Sequence, residues 1–290
     1  MEEYILENQE SFNLIHIFEC GQCFRWNRLE DESYIGVING AVIKVKEENG
    51  KFIFSGKSEN GNLKELINYY FDLQTNYTEY KRILSNIDEY LKESITFGEG
   101  IRILKQDLWE CIISFIISAN NNIPRIKKII ERLSKTYGKE IEFNGEKYYS
   151  FPTPEELSKA SVQDLRDLGL GFRDKRIYNT TKMIIEKKVD LEVIKNMETT
   201  NQMREELLKL DGVGPKVADC ILLFSLKRLD VFPIDVWVRR VMNELYIHNE
   251  DEEKVNKKEL QKLAEEKFCG LSGIAQQYLF YWKREDGKIA

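Results

Sequence analysis

Lys216 has the setting in this sequence that most directly implies chemistry. It follows Leu210-Asp211-Gly212-Val213-Gly214-Pro215 and leads into Val217-Ala218-Asp219-Cys220. Pro215 suits the first position of a helix, so Gly212 to Gly214 form a tight turn and Lys216 falls in the first helical turn. Unpaired backbone N–H groups at such a start bind anions, and phosphate is the natural guest. A lysine there sits beside the positive end of the helix dipole, so its amine is expected to lose its proton more easily than a surface lysine and to act as a nucleophile. Taken alone, the turn is equally compatible with a solvated lysine on a tight corner between helices. Asp235 sharpens the reading. It closes the apolar run Val231-Phe232-Pro233-Ile234 and opens the next predicted helix. An acid in that place either caps the helix or stabilises positive charge developing on a substrate.

A helical frame has to hold these two groups. From about residue 100 the sequence reads as helical nearly to its end. Asp107 and Asn122 are placed to cap helices, Pro124 falls in a first turn, and Ser161 with Asp164 forms a capping pattern. Further helices are expected at about 174–188, 199–209, 215–226, 235–247, 256–268 and 272–284. Leu168-Gly169-Leu170-Gly171 repeats the paired-glycine pattern of the Lys216 turn, again with a basic residue, Arg173, just beyond. The N-terminal part differs. Gln22–Trp26, Tyr34–Ile38, Ala41–Val45 and Lys51–Phe54 read as strands, with hairpin dipeptides at Asn39-Gly40 and Asn49-Gly50. A helix follows on Leu63, Leu66, Ile67 and Tyr70. The expected class is α+β: an N-terminal antiparallel β-sheet domain with helices over residues 1–98, then an all-α domain over 99–290.

The chain has 290 residues, 42% hydrophobic and 32% charged, which suits a globular core and excludes disordered and fibrous classes. Its apolar stretches fall far short of the roughly 18 residues of a membrane span, and the acidic N-terminus is unlike a signal peptide. Five cysteines, an odd number, argue for a reducing compartment over a disulfide framework. A soluble, cytoplasmic protein is expected. The net charge of −6 by itself disfavours a nucleic-acid partner. Cys20-Gly21-Gln22-Cys23 lacks the two further ligands that a zinc site needs, and the glycines before Lys216 lack nucleotide-loop spacing.

Gly212-Val213-Gly214-Pro215-Lys216 followed by Val231-Phe232-Pro233-Ile234-Asp235 resembles the helix-hairpin-helix, Gly/Pro-rich, Asp superfamily of DNA glycosylases. Lys216-Val217-Ala218-Asp219-Cys220 is similar to its 8-oxoguanine branch. Four more segments carry the resemblance along the chain: Gly21–Trp26, Ser118–Arg125, Leu168–Arg173 and Ala275–Phe280. The resemblance implies excision of 8-oxoguanine from double-stranded DNA. Lys216 would attack C1′ of the flipped-out nucleotide and cleave the strand through a Schiff base, while Asp235 stabilises the charge on the sugar. It implies that Gly21, Cys220, Pro233, Gln276 and Phe280 bind the base, with the Gly21 carbonyl meeting the N7–H that 8-oxoguanine has and guanine lacks. Asn120, Arg125 and Arg173 would read the orphaned cytosine, with Phe172 as the wedge. Gly212, Val213, Gly214 and Trp237 would meet the DNA backbone. Read without the resemblance, Phe280 is ordinary helical core and Cys220 a small buried hydrophobe.

The chain departs from the eukaryotic members in two places, Trp237 for a histidine and Phe172 for a tyrosine. Its compactness points to a prokaryotic enzyme. The resemblance implies no required cofactor and no catalytic metal, though a monovalent cation is expected on carbonyls near Leu208, Leu210 and Val213. A basic face is expected around Lys216, Lys227, Arg239, Arg240, Arg125 and Arg173, and nothing argues for oligomerisation, so a monomer is expected. Only Cys269 lies beyond Cys220, which excludes the iron–sulfur branch. The competing reading is a non-catalytic helix-hairpin-helix clamp on DNA.

Overall fold

The computed structural model describes residues 2–7, 9–57, 62–251 and 254–286. The chain opens with β1 (Glu2–Glu7), a short helix α1 (Leu14–Glu19) and β2 (Trp26–Arg28), and continues through β3 (Tyr34–Ile38), β4 (Ala41–Glu48) and β5 (Lys51–Lys57). These strands form one antiparallel sheet in the order β1-β5-β4-β3-β2. The Asn39-Gly40 and Asn49-Gly50 turns have positive φ at both residues, as two-residue hairpins demand. Trp26, Phe18, Phe54 and Phe71 fill one face of the sheet, together with α2 (Leu63–Tyr70).

The helical part follows. It comprises α3 (Tyr77–Ser85), α4 (Glu89–Phe97), α5 (Leu108–Ser118), α6 (Ile123–Tyr137), α7 (Pro154–Leu157), α8 (Val162–Leu165), α9 (Asp174–Ile185), α10 (Leu191–Lys195), α11 (Thr200–Leu207), α12 (Pro215–Phe224), α13 (Val236–Met242), α14 (Lys257–Lys267) and α15 (Ser272–Asp286). The α5 helix is apolar on all sides, with Leu108, Trp109, Cys111–Ile113 and Phe115–Ile117 buried, so it forms the centre around which the others pack. Its Phe115 stacks on Phe224 of α12 with ring centroids 5.4 Å apart. The caps lie where the sequence places them: Asp107 accepts from Glu110 N–H (2.9 Å), Asn122 from Arg125 N–H (3.0 Å), and Ser161 with Asp164 closes a capping box.

Several elements differ from the sequence reading, among them the short helices α1, α3, α4 and α10, which it did not place. The β1 strand escapes it, because a six-residue edge strand with acids at three positions carries little apolar alternation. The stretch expected to be wholly helical contains a hairpin, β6 (Glu140–Phe143) and β7 (Glu146–Tyr149), turning on Asn144-Gly145. Its Phe143 packs with Ile35, Val37 and Val42 on the second face of the sheet. The predicted first strand begins only at Trp26, because the Gln22 carboxamide holds the preceding residues in another shape. Gln22 is fully buried. Its Nε2 donates to Ile17 O (2.9 Å) and Arg102 O (2.8 Å), and its Oε1 accepts from Leu104 N–H (2.9 Å).

Arg102 completes this junction. Only 1% exposed, it donates from Nε to Phe71 O (3.0 Å), from Nη2 to Asp72 O (2.6 Å) and Thr75 O (3.2 Å), and from Nη1 to Glu10 O (3.3 Å) and Ser11 O (3.4 Å). The buried Asp72 carboxylate beside it takes Lys105 (2.8 Å) and Lys227. Burial pushes the Asp72 carboxyl upward, but the two lysines outweigh it and hold it below the usual range. Asp72→Ala is therefore expected to cost roughly 3 kcal/mol at pH 7, measured by urea unfolding, because two half-buried ammonium groups lose their partner. With a depressed folded-state pKa, this contribution is present above the ordinary carboxylate pKa and is lost as pH falls through the depressed one. The gap between variant and wild type should narrow in acid.

Candidate active site

The Lys216 turn is built from both sides. Leu210 O accepts the Val213 N–H (3.1 Å), closing the corner between α11 and α12. On α9, Thr180 Oγ1 donates to Asp211 O (2.8 Å) and Asn179 Nδ2 to the Asp211 carboxylate (2.7 Å). Gly212 has φ +89, and a Cβ there would sit 3.0–3.2 Å from the Arg176 stem and Ile116, so only glycine lets α9 and α5 approach the turn this closely. Around Gly214, by contrast, a Cβ would meet nothing within 4 Å. The backbone before α12 is open to a ligand, and α12 starts with Pro215 and no side-chain cap. Its first N–H groups are available to an anion.

Lys216 lies in the first turn of α12, with Nζ 5.6 Å from the centroid of Phe115. One turn on, the buried Cys220 sulfur stands beside it. Asp235 caps α13 by accepting the Val238 N–H (2.8 Å), and its charge acts on both Lys216 and Cys220. The structure thus brings the two residues together as the sequence suggests, but it reverses the expected protonation. Burial lowers the lysine, yet the Cys220 sulfur, once ionised, and the Asp235 carboxylate outweigh it and hold the ammonium above the usual lysine range. The helix-dipole argument counted only local charge and missed a carboxylate arriving from the next helix. Burial holds the Cys220 thiol up at about 11 in spite of the adjacent lysine.

The other residues of the set occupy two regions. Cys220, Pro233 and Gln276 are buried, Phe280 is half-buried, and Gln276 Oε1 accepts from Gln277 Nε2 (2.8 Å). Gly21 has φ +88 and lies against α15, its Cβ direction 3.6 Å from Phe280 Cε1 and 3.3 Å from Arg284 Nη1. Gly21 and Arg284 also border a cavity of about 370 Å³, along with Cys23, Ile123 and Lys127. Cys20 and Cys23, on either side of Gly21, are buried in different clusters, Cys20 with the helical core and Cys23 with the sheet. Burial raises both thiols, Cys20 to about 11. Cys111 is likewise buried, and Cys269 is exposed.

At the second glycine pair, Phe172 projects with 54% of its surface exposed, flanked by the guanidinium groups of Arg173 (4.2 Å) and Arg176 (5.2 Å). Asn120 stands exposed in the left-handed region with φ 51, and Arg125 is exposed, its Nη2 3.4 Å from Gly169 O. Arg173 is different. Only 2% exposed, it donates to Ala119 O (Nε, 2.9 Å), to Asn120 O (Nη2, 2.7 Å) and to Leu170 O (Nη1, 3.3 Å). In this structure it clamps the Asn120 loop from beneath. Two of the six cations expected on one basic face are thus turned inward, Arg173 here and Lys227 against Asp72. Trp237 is exposed at the start of α13, 5.6 Å from the Arg240 guanidinium. Sequence reasoning missed Gln22 and Arg176, neither of which stands in a local pattern that marks its role.

The charge arrangement is testable directly. In NMR of the free protein with labelled lysine, the Lys216 amine is expected to titrate above the ordinary lysine range, and Asp235→Asn should move that midpoint down. A wild-type midpoint below the ordinary range would overturn the assignment.

The 8-oxoguanine DNA glycosylase N-terminal domain matches residues 4–112, and the HhH-GPD superfamily of base excision DNA repair proteins matches 113–266. A probable N-glycosylase/DNA lyase of Methanothermobacter thermautotrophicus is 34% identical over 78% of this chain and 77% of its own length. The N-glycosylase/DNA lyase of Saccharomyces cerevisiae is 33% identical over 82% of this chain and 69% of its own. The Clostridium acetobutylicum 8-oxoguanine glycosylase/lyase, solved with double-stranded DNA containing cytosine opposite 8-oxoG, superposes with a TM-score of 0.92 at 44% identity, covering 98% of this chain and 97% of that one. The chain belongs to the HhH-GPD superfamily of base excision DNA repair proteins, in the branch that carries the 8-oxoguanine DNA glycosylase N-terminal domain.

Proposed function

We propose that this protein is a bifunctional glycosylase/lyase that removes 8-oxoguanine from double-stranded DNA and then cleaves the strand. The observation that carries the reading is the lysine at the head of α12, held between Cys220 and Asp235 behind a glycine turn open to phosphate. A nucleotide entering this site excludes water from the amine, and desolvation favours its neutral, nucleophilic form. The Lys216 nitrogen then forms a bond to C1′ as the bond from C1′ to the base breaks and the base leaves with the electron pair. Asp235 offsets the positive charge on the sugar meanwhile. Opening of the sugar ring gives a protonated Schiff base. Loss of a 2′ proton then expels the 3′ phosphate. No metal or redox partner takes part in these steps.

The Gly21 carbonyl is assigned to N7–H of the lesion, Gln276 to its Watson–Crick edge, and Cys220 and Phe280 to its two faces, with Pro233 behind. Arg125 and Asn120 are assigned to the opposite cytosine, with Arg173 shaping their loop from below, and Phe172 to the vacated stack. The exposure of Phe172, Arg125 and Asn120 supports this. Backbone N–H groups at 212–214 are assigned to phosphate, with Trp237 alongside. The carbonyls just past α11, at Leu208 and Leu210, and that of Val213 are neutral oxygens, a donor set that suits a monovalent cation steadying the turn, with Leu210 O also accepting the Val213 N–H. The protein is read as a monomer acting in the cytoplasm of a prokaryote. No helix of the described residues is long and apolar enough to cross a membrane.

Borohydride trapping tests the mechanism. A duplex with 8-oxoguanine opposite cytosine should give a covalent adduct, an undamaged duplex none, and Lys216→Gln none with either. Duplex binding without any adduct from the wild type would leave the clamp reading in its place. Opposite-base reading is tested by Arg125→Ala, which should narrow the excision preference for cytosine by about tenfold, the weight of one charged hydrogen bond. Binding should also weaken as salt rises, because phosphate contacts release counterions.

A further inference from the structure

Arg284, in the last turns of α15, is a cation whose bonding is incomplete in one place. Its Nη2 donates to Glu19 O and its Nε to Glu285 Oε1 (2.8 Å), while Nη1 is buried with no hydrogen-bond partner. That same Nη1 lies 3.3 Å from where a Gly21 side chain would begin, and the guanidinium is 5.4 Å from the centroid of Phe280, one helical turn earlier. A buried donor without an acceptor is unfavourable, and one that borders a cavity is placed to meet an acceptor brought in by a ligand. This donor stands beside the glycine and the ring that the proposed function assigns to the flipped base.

The chemistry of the lesion supplies the missing acceptor. Oxidation converts the imidazole edge of guanine into a cyclic urea, with N7–H next to C8=O. An edge that offers one donor and one acceptor side by side is matched by an acceptor and a donor side by side. We infer that Arg284 is a specificity residue of the base pocket, its Nη1–H donating to O8 of the oxidised purine while the Gly21 carbonyl accepts from N7–H. Guanine presents a C–H where O8 would be. Arginine commonly grips guanine with two donors on O6 and N7. In Arg284, Nε and one N–H of Nη2 are already bonded, which leaves Nη1 as the nitrogen with both hydrogens unpaired. The rings of Phe280 and Tyr281, 5.4 and 5.6 Å from the guanidinium, flank it on α15.

This inference rests on the glycosylase/lyase reading, and two substrates separate the two. One duplex carries 8-oxoguanine opposite cytosine, and the other a preformed abasic site opposite cytosine, which needs the lysine but no base contact. Both are followed under single turnover with excess protein for the wild type, Arg284→Met and Arg284→Lys. Arg284→Met is expected to slow base excision about 10- to 100-fold, the loss of one charge-assisted hydrogen bond, while abasic-site cleavage stays within about twofold. Arg284→Lys, which keeps a charged donor, should recover part of the excision. Excision by Arg284→Met at the wild-type rate overturns the assignment, as does equal loss on both substrates, which marks a purely structural role. Wild-type protein that cleaves neither duplex overturns the glycosylase/lyase reading itself.

Discussion

The polar junction of Gln22 and Arg102 is the constraint on which the rest of the architecture depends. Two buried side chains, one amide and one guanidinium, direct their donors to backbone carbonyls of α1, the end of α2 and the segment entering α5. Buried polar groups are tolerable only when satisfied, so this junction admits one arrangement of the sheet against the helices. Gly21 is the immediate neighbour of Gln22, and a side chain there would meet Phe280 and Arg284 of α15, so the two halves of the molecule come together at this glycine. A pocket with one wall on a loop of the β part and another on the C-terminal helix keeps its width only while that junction holds.

The electrostatics follow a second rule: several buried or half-buried cations are paired within the protein, and the turn before α12 leaves anions to backbone groups. Lys105 and Lys227 face Asp72, Arg204 faces Asp219, and Arg173 faces carbonyls. The turn before α12 offers N–H groups in place of side-chain charge. An acidic protein can therefore present a surface suited to phosphate, which removes the objection that net charge alone raises. Lys216 obeys the same pairing, with the Asp235 carboxylate beside it.

Sequence patterns made some of this legible and left the rest hidden, for physical reasons. The Asn39-Gly40 and Asn49-Gly50 hairpins, the caps at Asp107, Asn122 and Ser161, and the paired glycines are local devices, so short stretches reveal them. Asn144-Gly145 carried the same hairpin signal, but the helical tenor of its surroundings masked it. Gln22 was unreadable as a junction because its partners at Arg102 and Leu104 lie 80 and 82 residues away. The same holds for the inward turn of Lys227, decided by an aspartate 155 residues earlier in the chain (227 − 72). The Lys216 and Asp235 pair was legible as a pair, yet the sign of the lysine's shift was not, since it depends on which charges the fold brings together.

The cysteines acquire a meaning in this light. Thiolates, far more than thiols, react with peroxide, and Cys20, Cys23, Cys111 and Cys220 are all kept as thiols by burial. Two of them adjoin the proposed base pocket, where a sulfenic acid would add bulk and polarity against the purine. Oxidants that convert guanine to 8-oxoguanine are chemically able to oxidise an exposed thiolate as well. Keeping its sulfur protonated and out of solvent lets the pocket retain its shape under the very stress that generates its substrate.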